Sequence, residues 1–314
     1  MKIGILIGEE REISESLKMT KVAEKLGYDS LWFGEHTGIR DALLSMGMAA
    51  MASSKIKLGS CAINAYTRNV GVVAAAVNTL SWIAPDRIML GIASGEEVLS
   101  SFGIRKREPL NEMKEFIVAL RLMFEGKQVN YHGSHVNLND AKIERKLNIP
   151  ILLAATGPKM LELGSRIADG VILNFLVTSS YMASAHRIVG KKQVYQLIAV
   201  SLNRDGSNDD GKKLISKFFF LAPEFFRSIG IAEEVINSVI TKIKSWPPNL
   251  DDLNDASRLI PDDIVRQLMA SGTAEEILSY IIGIVNRWNV YPILYLTSGD
   301  IIYALNELGK VLDI

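Results

Sequence analysis

The sequence is short of several things, and each shortage removes a class of protein. It holds one cysteine, Cys61, so an internal disulfide framework and a cysteine-based zinc site are both excluded. It has no excess of either charge: 35 Lys and Arg balance 35 Asp and Glu. Nucleic-acid and membrane-surface proteins rely on a basic field, so neither partner is expected. No apolar run reaches the roughly 18 residues that would span a bilayer. The start, MKIGILIGEE, lacks the long apolar stretch and small-residue cleavage site of a secretion signal. These absences predict a cytoplasmic protein that acts on a small molecule.

What is present is alternation. Strand-like runs cover Lys2 to Gly8, Ser30 to Gly34, Ile56 to Ile63, Arg87 to Ala93, Pro150 to Ala155, Val171 to Asn174, Tyr195 to Leu202 and Val290 to Leu296. Helical patterns sit between them, among them Ser14 to Gly27, Asp41 to Ala52, Val70 to Ile83 and Pro109 to Phe124, with Asp300 to Val311 closing the chain. Eight strand–helix pairs in 314 residues predict an α/β fold, a (β/α)8 TIM barrel in one domain spanning residues 1–314. A doubly wound sheet would carry a glycine-rich first turn. Here that turn is Gly8-Glu9-Glu10-Arg11, acidic and with one glycine.

Two segments break the repeat. Lys127 to Asn137 alternates around Gly133 and predicts a hairpin inserted before strand five. Asp205 to Gly272 predicts a helical insertion between strands seven and eight, with an apolar run Phe218-Phe219-Phe220-Leu221 and a breaker Trp246-Pro247-Pro248. A long insertion of this kind caps the active face of a barrel or an oligomer interface. The segment Asn69 to Ile83 is apolar almost all round, which predicts a second subunit against it and hence a homodimer or higher assembly.

Barrel chemistry gathers at the C-terminal strand ends. Those ends hold Glu35-His36, the stretch Ser60-Cys61-Ala62-Ile63-Asn64, Gly95-Glu96-Glu97 and Thr156-Gly157-Pro158-Lys159. No metal site is expected, because three of the four histidines, His132, His135 and His186, lie away from these ends. No nucleophile elbow occurs either. His36 is the histidine at a strand end, and histidine as a residue type suits proton handling. Backbone N–H groups where a helix opens after Thr156-Gly157-Pro158 favour an anion, with Lys159 assisting.

Three motifs, LWFGEHTGIRD (Leu31 to Asp41), KIKLGSCAINAYTRN (Lys55 to Asn69) and DRIMLGIASGEE (Asp86 to Glu97), together with the turn AATGPKML, resemble the luciferase-like flavin and deazaflavin oxidoreductases. Within that family the likeness is greatest to enzymes using the deazaflavin coenzyme F420, especially the methylenetetrahydromethanopterin reductases. The resemblance implies a non-prolyl cis peptide at Cys61–Ala62, pressed against the back face of the coenzyme ring, with Ser60 and Asn64 beside it. It also implies His36 near the reactive carbon, Glu96 as proton donor, Glu35 near the coenzyme, and Thr156, Gly157, Pro158 and Lys159 around the coenzyme's phosphate or acidic tail. The reductases carry an acid in strand one where this chain has Leu6-Ile7. The implied function is hydride transfer between coenzyme F420 and an organic substrate, methylenetetrahydromethanopterin-like at its most specific. Two alternatives stay open: a monooxygenase using FMN on the same fold, and a coenzyme-binding member without catalysis.

Overall fold

The computed structural model describes residues 1–8, 11–95, 97–105, 107–175, 178–246 and 248–312. Its strands are β1 (Gly4–Ile7), β2 (Ser30–Phe33), β3 (Lys57–Asn64), β4 (Ile88–Ala93), β5 (Val129–His132), β6 (Asn137–Ala141), β7 (Ile151–Ala154), β8 (Gly170–Leu173), β9 (Gln193–Ser201), β10 (Ala270–Ser271) and β11 (Tyr291–Leu296). Eight of them, in the order β9-β11-β1-β2-β3-β4-β7-β8, pair in parallel, and β8 closes the ring by pairing with β9. The predicted TIM barrel is the observed fold.

The strands read as continuous apolar runs because both of their faces are covered. Leu6, Trp32, Met89, Leu152, Ile172, Leu197 and Ile293 fill the barrel's inside. The opposite faces, with Ile5, Leu31, Leu58, Leu90 and Leu294, pack against the surrounding helices. Low in the barrel the indole N–H of Trp32 donates to Ser30 Oγ at 2.8 Å. Ser30 in turn shares a 2.6 Å hydrogen bond with the Tyr291 hydroxyl, which donates to Asp29. Burial holds the Tyr291 phenol protonated far above its usual range, and Asp29 adds to that.

Local chemistry sets the helix starts. Asp41 accepts from Leu44 N and caps Ala42–Ala52, and Asn69 accepts from Gly71 N and caps Val70–Ile83. Pro158 opens Pro158–Ile167 directly after Gly157. A capping box at Thr273 and Glu276, which the sequence reading passed over, starts Ala274–Trp288.

Both insertions are present. The hairpin is β5 with β6, and it extends four residues beyond the expected end at Asn137. Among the described residues the longer insertion contains five helices, Asp209–Leu221, Pro223–Ser228, Glu233–Ile240, Leu250–Ser257 and Asp262–Leu268, around a core of their own that includes Phe219, Phe226, Ile236 and Val239. It ends in β10, two residues pairing with Val200 and Ser201 at the end of β9, where no strand was expected. Among the described residues no helix is long and apolar enough to cross a membrane, and no group of His, Cys, Asp and Glu side chains could hold a metal.

Candidate active site

A cavity of about 520 Å³ opens at the C-terminal ends of the strands. Leu6, Gly34, Glu35, Cys61, Ala62, Ala93, Ser94 and Gly95 line it from β1 to β4. Ala154, Ala155, Thr156, Gly157, Asn174, Phe175 and Tyr295 line it from β7, β8 and β11. The insertion supplies the rest through Leu214, Lys217, Phe218, Leu221 and Trp246. The segment expected to cap a functional face does so over this mouth.

The wall at the end of β3 is built by a bulge. Register with β4 shifts between Ser60 and Ile63, and the Cys61–Ala62 peptide inside the shift is cis. Ser60 anchors the shift from below. It is fully buried, its hydroxyl donates to Gly91 O at 2.8 Å, and it accepts from Gly91 N at 3.0 Å. Position 91 has to be glycine, because a Cβ there would lie 2.2 Å from the Ser60 carbonyl oxygen. Ser60, expected at the coenzyme, uses its hydroxyl both to donate and to accept between strands, and it does not line the cavity.

Glu35 lines the cavity and also ties the site together. Its carboxylate accepts from Asn64 N at 3.0 Å, from Ala42 N at 3.3 Å and from the Arg68 guanidinium at 2.5 Å. Arg68 also pairs with Asp41 at 2.8 Å. Burial opposes ionisation of Asp41, but the Leu44 N–H and Arg68 outweigh it and hold its pKa below the usual carboxylate value. Arg68 is thereby engaged inside the protein.

Asn64 is buried and does not line the cavity. Its side-chain oxygen caps the turn Ala65–Thr67 by accepting from Tyr66 N. Its amide nitrogen has no hydrogen-bond partner among the described residues. Gly95, with φ of 96°, lies against that amide, since a Cβ on it would come within 2.6 Å of Asn64 Nδ2.

His36 is not on the main cavity. It lines an adjoining cleft of about 390 Å³, which shares Glu35, and its ring Nδ1 is 3.2 Å from Thr37 O. At the end of β7, Thr156 and Gly157 reach the cavity, whereas Pro158 and Lys159 are exposed and do not line it. Glu96 lies outside the described residues. The structure thus brings Glu35, Cys61, Ala62, Thr156 and Gly157 to one cavity, and sets Ser60, Asn64, His36, Pro158 and Lys159 around or behind it.

Sequence reasoning missed the aromatic wall. The rings of Phe175 and Phe218 stand 5.5 Å apart, and those of Phe175 and Tyr295 stand 5.3 Å apart. Phe220 stacks on Trp246 at 6.0 Å. The run Phe218 to Leu221 was a visible signal, but which of its faces meets the cavity depends on how the helix docks.

One side of the cavity is therefore backbone and small side chains, and the other is aromatic. That suits a large flat ligand held edge-on to the barrel mouth.

A family model described as luciferase-like monooxygenase matches residues 1–287, and the chain belongs to that family. The 5,10-methylenetetrahydromethanopterin reductase of Archaeoglobus fulgidus is 28% identical over 298 residues, 90% of this chain and 89% of the relative. An F420-dependent glucose-6-phosphate dehydrogenase of Beutenbergia cavernae is 32% identical over 171 residues, 50% of this chain and 51% of the relative. Among solved structures, the coenzyme F420 dependent tetrahydromethanopterin reductase of Methanopyrus kandleri superposes with a TM-score of 0.86 at 22% identity, covering 98% of this chain and 97% of the other.

Proposed function

We propose that this protein is an oxidoreductase that moves a hydride between coenzyme F420 and an organic substrate. The observation that carries the reading is the small-residue wall of Cys61, Ala62, Ala93 and Gly95 on one side of a cavity at the barrel's C-terminal mouth. Relatives named for F420-dependent chemistry support the choice of coenzyme. When bound, the coenzyme supplies the hydride-carrying ring, and the protein supplies orientation and protons.

The residues divide that work. Cys61 and Ala62 are the surface for the ring's back face, and Glu35 sits at its edge. Thr156 and Gly157, just before the helix N-terminus at Pro158, receive the anionic tail. Pro158 shapes that turn, and Lys159 adds positive charge at its exposed side. Asn64 and Ser60 support the bulge from behind. Glu96, which follows Gly95 in the chain, is the proton donor to substrate, and His36, next to Glu35, handles charge beside the ring.

The substrate is methylenetetrahydromethanopterin-like at its most specific, which the Archaeoglobus relative supports. Leu6 lines the cavity, however, and puts an apolar side chain where the resemblance calls for an acid. The enzyme is one barrel domain, works in the cytoplasm and assembles as a homodimer or larger oligomer. Exposed Leu44, Met51, Val72 and Trp82 on two neighbouring helices support the assembly.

The coenzyme is tested by titrating purified protein with F420 and with FMN while recording absorbance and oxygen uptake. Saturable F420 binding without oxygen uptake is expected. Preferential FMN binding with oxygen consumption would replace this reading with the monooxygenase one.

A further inference from the structure

The two halves of the cavity differ in more than size. Facing the small-residue wall, the aromatic half contains, among the described residues, one charged side chain, Lys217, on the helix Asp209–Leu221. Two other lysines on this helix are neutralised: Lys212 pairs with Asp262 at 2.7 Å and Lys213 with Asp210 at 3.5 Å. Lys217 is half-buried and has no ion-pair or hydrogen-bond partner among the described residues. Glu35, the acid lining the cavity among those residues, is already held by Arg68. An ammonium group partly withdrawn from water beside aromatic rings gains most from an anion that arrives with an apolar body.

We infer that the substrate carries an anionic group, a carboxylate or a phosphate, on a flat apolar body, and that Lys217 binds this group. The inference rests on the reading above, because the coenzyme ring takes the small-residue half and leaves the aromatic half to substrate. The rings of Phe175, Phe218 and Tyr295 then hold the body, and Lys217 sets which end points toward the insertion. Sequence offers no mark for this role, since Lys217 is one of several lysines in a polar-looking stretch.

The test uses 2-naphthoate and 2-naphthamide, which share a body and differ in charge, titrated by calorimetry into F420-loaded protein. Naphthoate should bind about tenfold tighter or more. That preference should vanish in Lys217→Met and persist in Lys217→Arg, with F420 affinity within about threefold of the parent in both. An unchanged thermal midpoint for Lys217→Met establishes that the fold is intact. Equal binding of the two probes, binding of neither, or a preference that survives Lys217→Met overturns the inference. A Lys217→Met protein that loses F420 affinity also overturns it, by assigning the lysine to the coenzyme's tail. If F420 does not bind the parent protein at all, the coenzyme reading fails, and the same titrations on the free protein still decide the role of Lys217.

Discussion

The Arg68 guanidinium bridges two carboxylates of unequal exposure, Glu35 with a side chain 5% exposed and Asp41 with one 46% exposed. The buried arm joins the end of β3 to the segment after β2, and the outer arm reaches the cap of the next helix. Removing Glu35 leaves a partly buried guanidinium short of its main partner and Asn64 N without an acceptor. Glu35→Ala should therefore cost about 3 kcal/mol or more in urea unfolding. Asp41→Asn should cost about 1 kcal/mol, since an exposed pair is screened by water and the cap is partly kept. Equal losses in the two variants would show that burial does not rank the two arms.

Glu24 predicts a pH signature. Burial opposes its ionisation, but N–H groups of Ile56, Lys55 and Ser54 and the Ser54 hydroxyl outweigh that and draw its pKa down to about 2. A depressed carboxylate contributes stability above its unfolded pKa, near 4.3, and loses it as the pH falls toward the folded value. Glu24→Gln should be less stable than the parent at pH 7, by about 1–3 kcal/mol for hydrogen bonds to a charged acceptor. The gap should close between about pH 4.3 and pH 2. A gap independent of pH in chemical unfolding would mean that the charge of Glu24 contributes nothing.

Ala62 lines the cavity, and a larger side chain there has open space to enter. Ala62→Phe should fold with nearly the parent's stability yet lose coenzyme affinity, by roughly 5- to 150-fold if overfilling costs 1–3 kcal/mol. Fluorescence titration with F420 measures it. Parent-like affinity in this variant would move the ring away from β3.

Val72 and Trp82 are each 63% exposed on the helix Val70–Ile83, and Met51 is 76% exposed on the helix before it. If a second copy covers this face, sedimentation should give a dimer or larger species for the parent protein. Val72→Lys should shift it toward monomer without lowering its capacity for F420. A parent protein that sediments as a monomer at micromolar concentration would remove the proposed assembly.

Much of the architecture was legible because barrel strands are short, buried on both faces and separated by amphipathic helices, so hydrophobic period alone marks them. The eight strands, the hairpin and the place of the insertion were all read from that period. The bulge at Cys61–Ala62 was legible through family motifs, and its small residues were a local signal of close backbone approach. The place of Ser60 behind the cavity was not legible, because sequence cannot tell a strand residue that faces a cavity from one whose hydroxyl bonds to Gly91.

The chain by itself determined what depends on neighbours along the backbone: strand and helix periods, caps at Asp41 and Asn69, and a glycine wherever a strand must pass close to another. Tertiary structure alone decided what depends on distant segments meeting. It brought Arg68 to Glu35 across 33 positions and laid Phe218 beside Phe175 and Tyr295. It also left Lys217 without a partner among the described residues while its helix neighbours found theirs. Such contacts form between groups that share no local pattern, because side-chain direction at a site is set by how whole elements pack and not by the residues on either side.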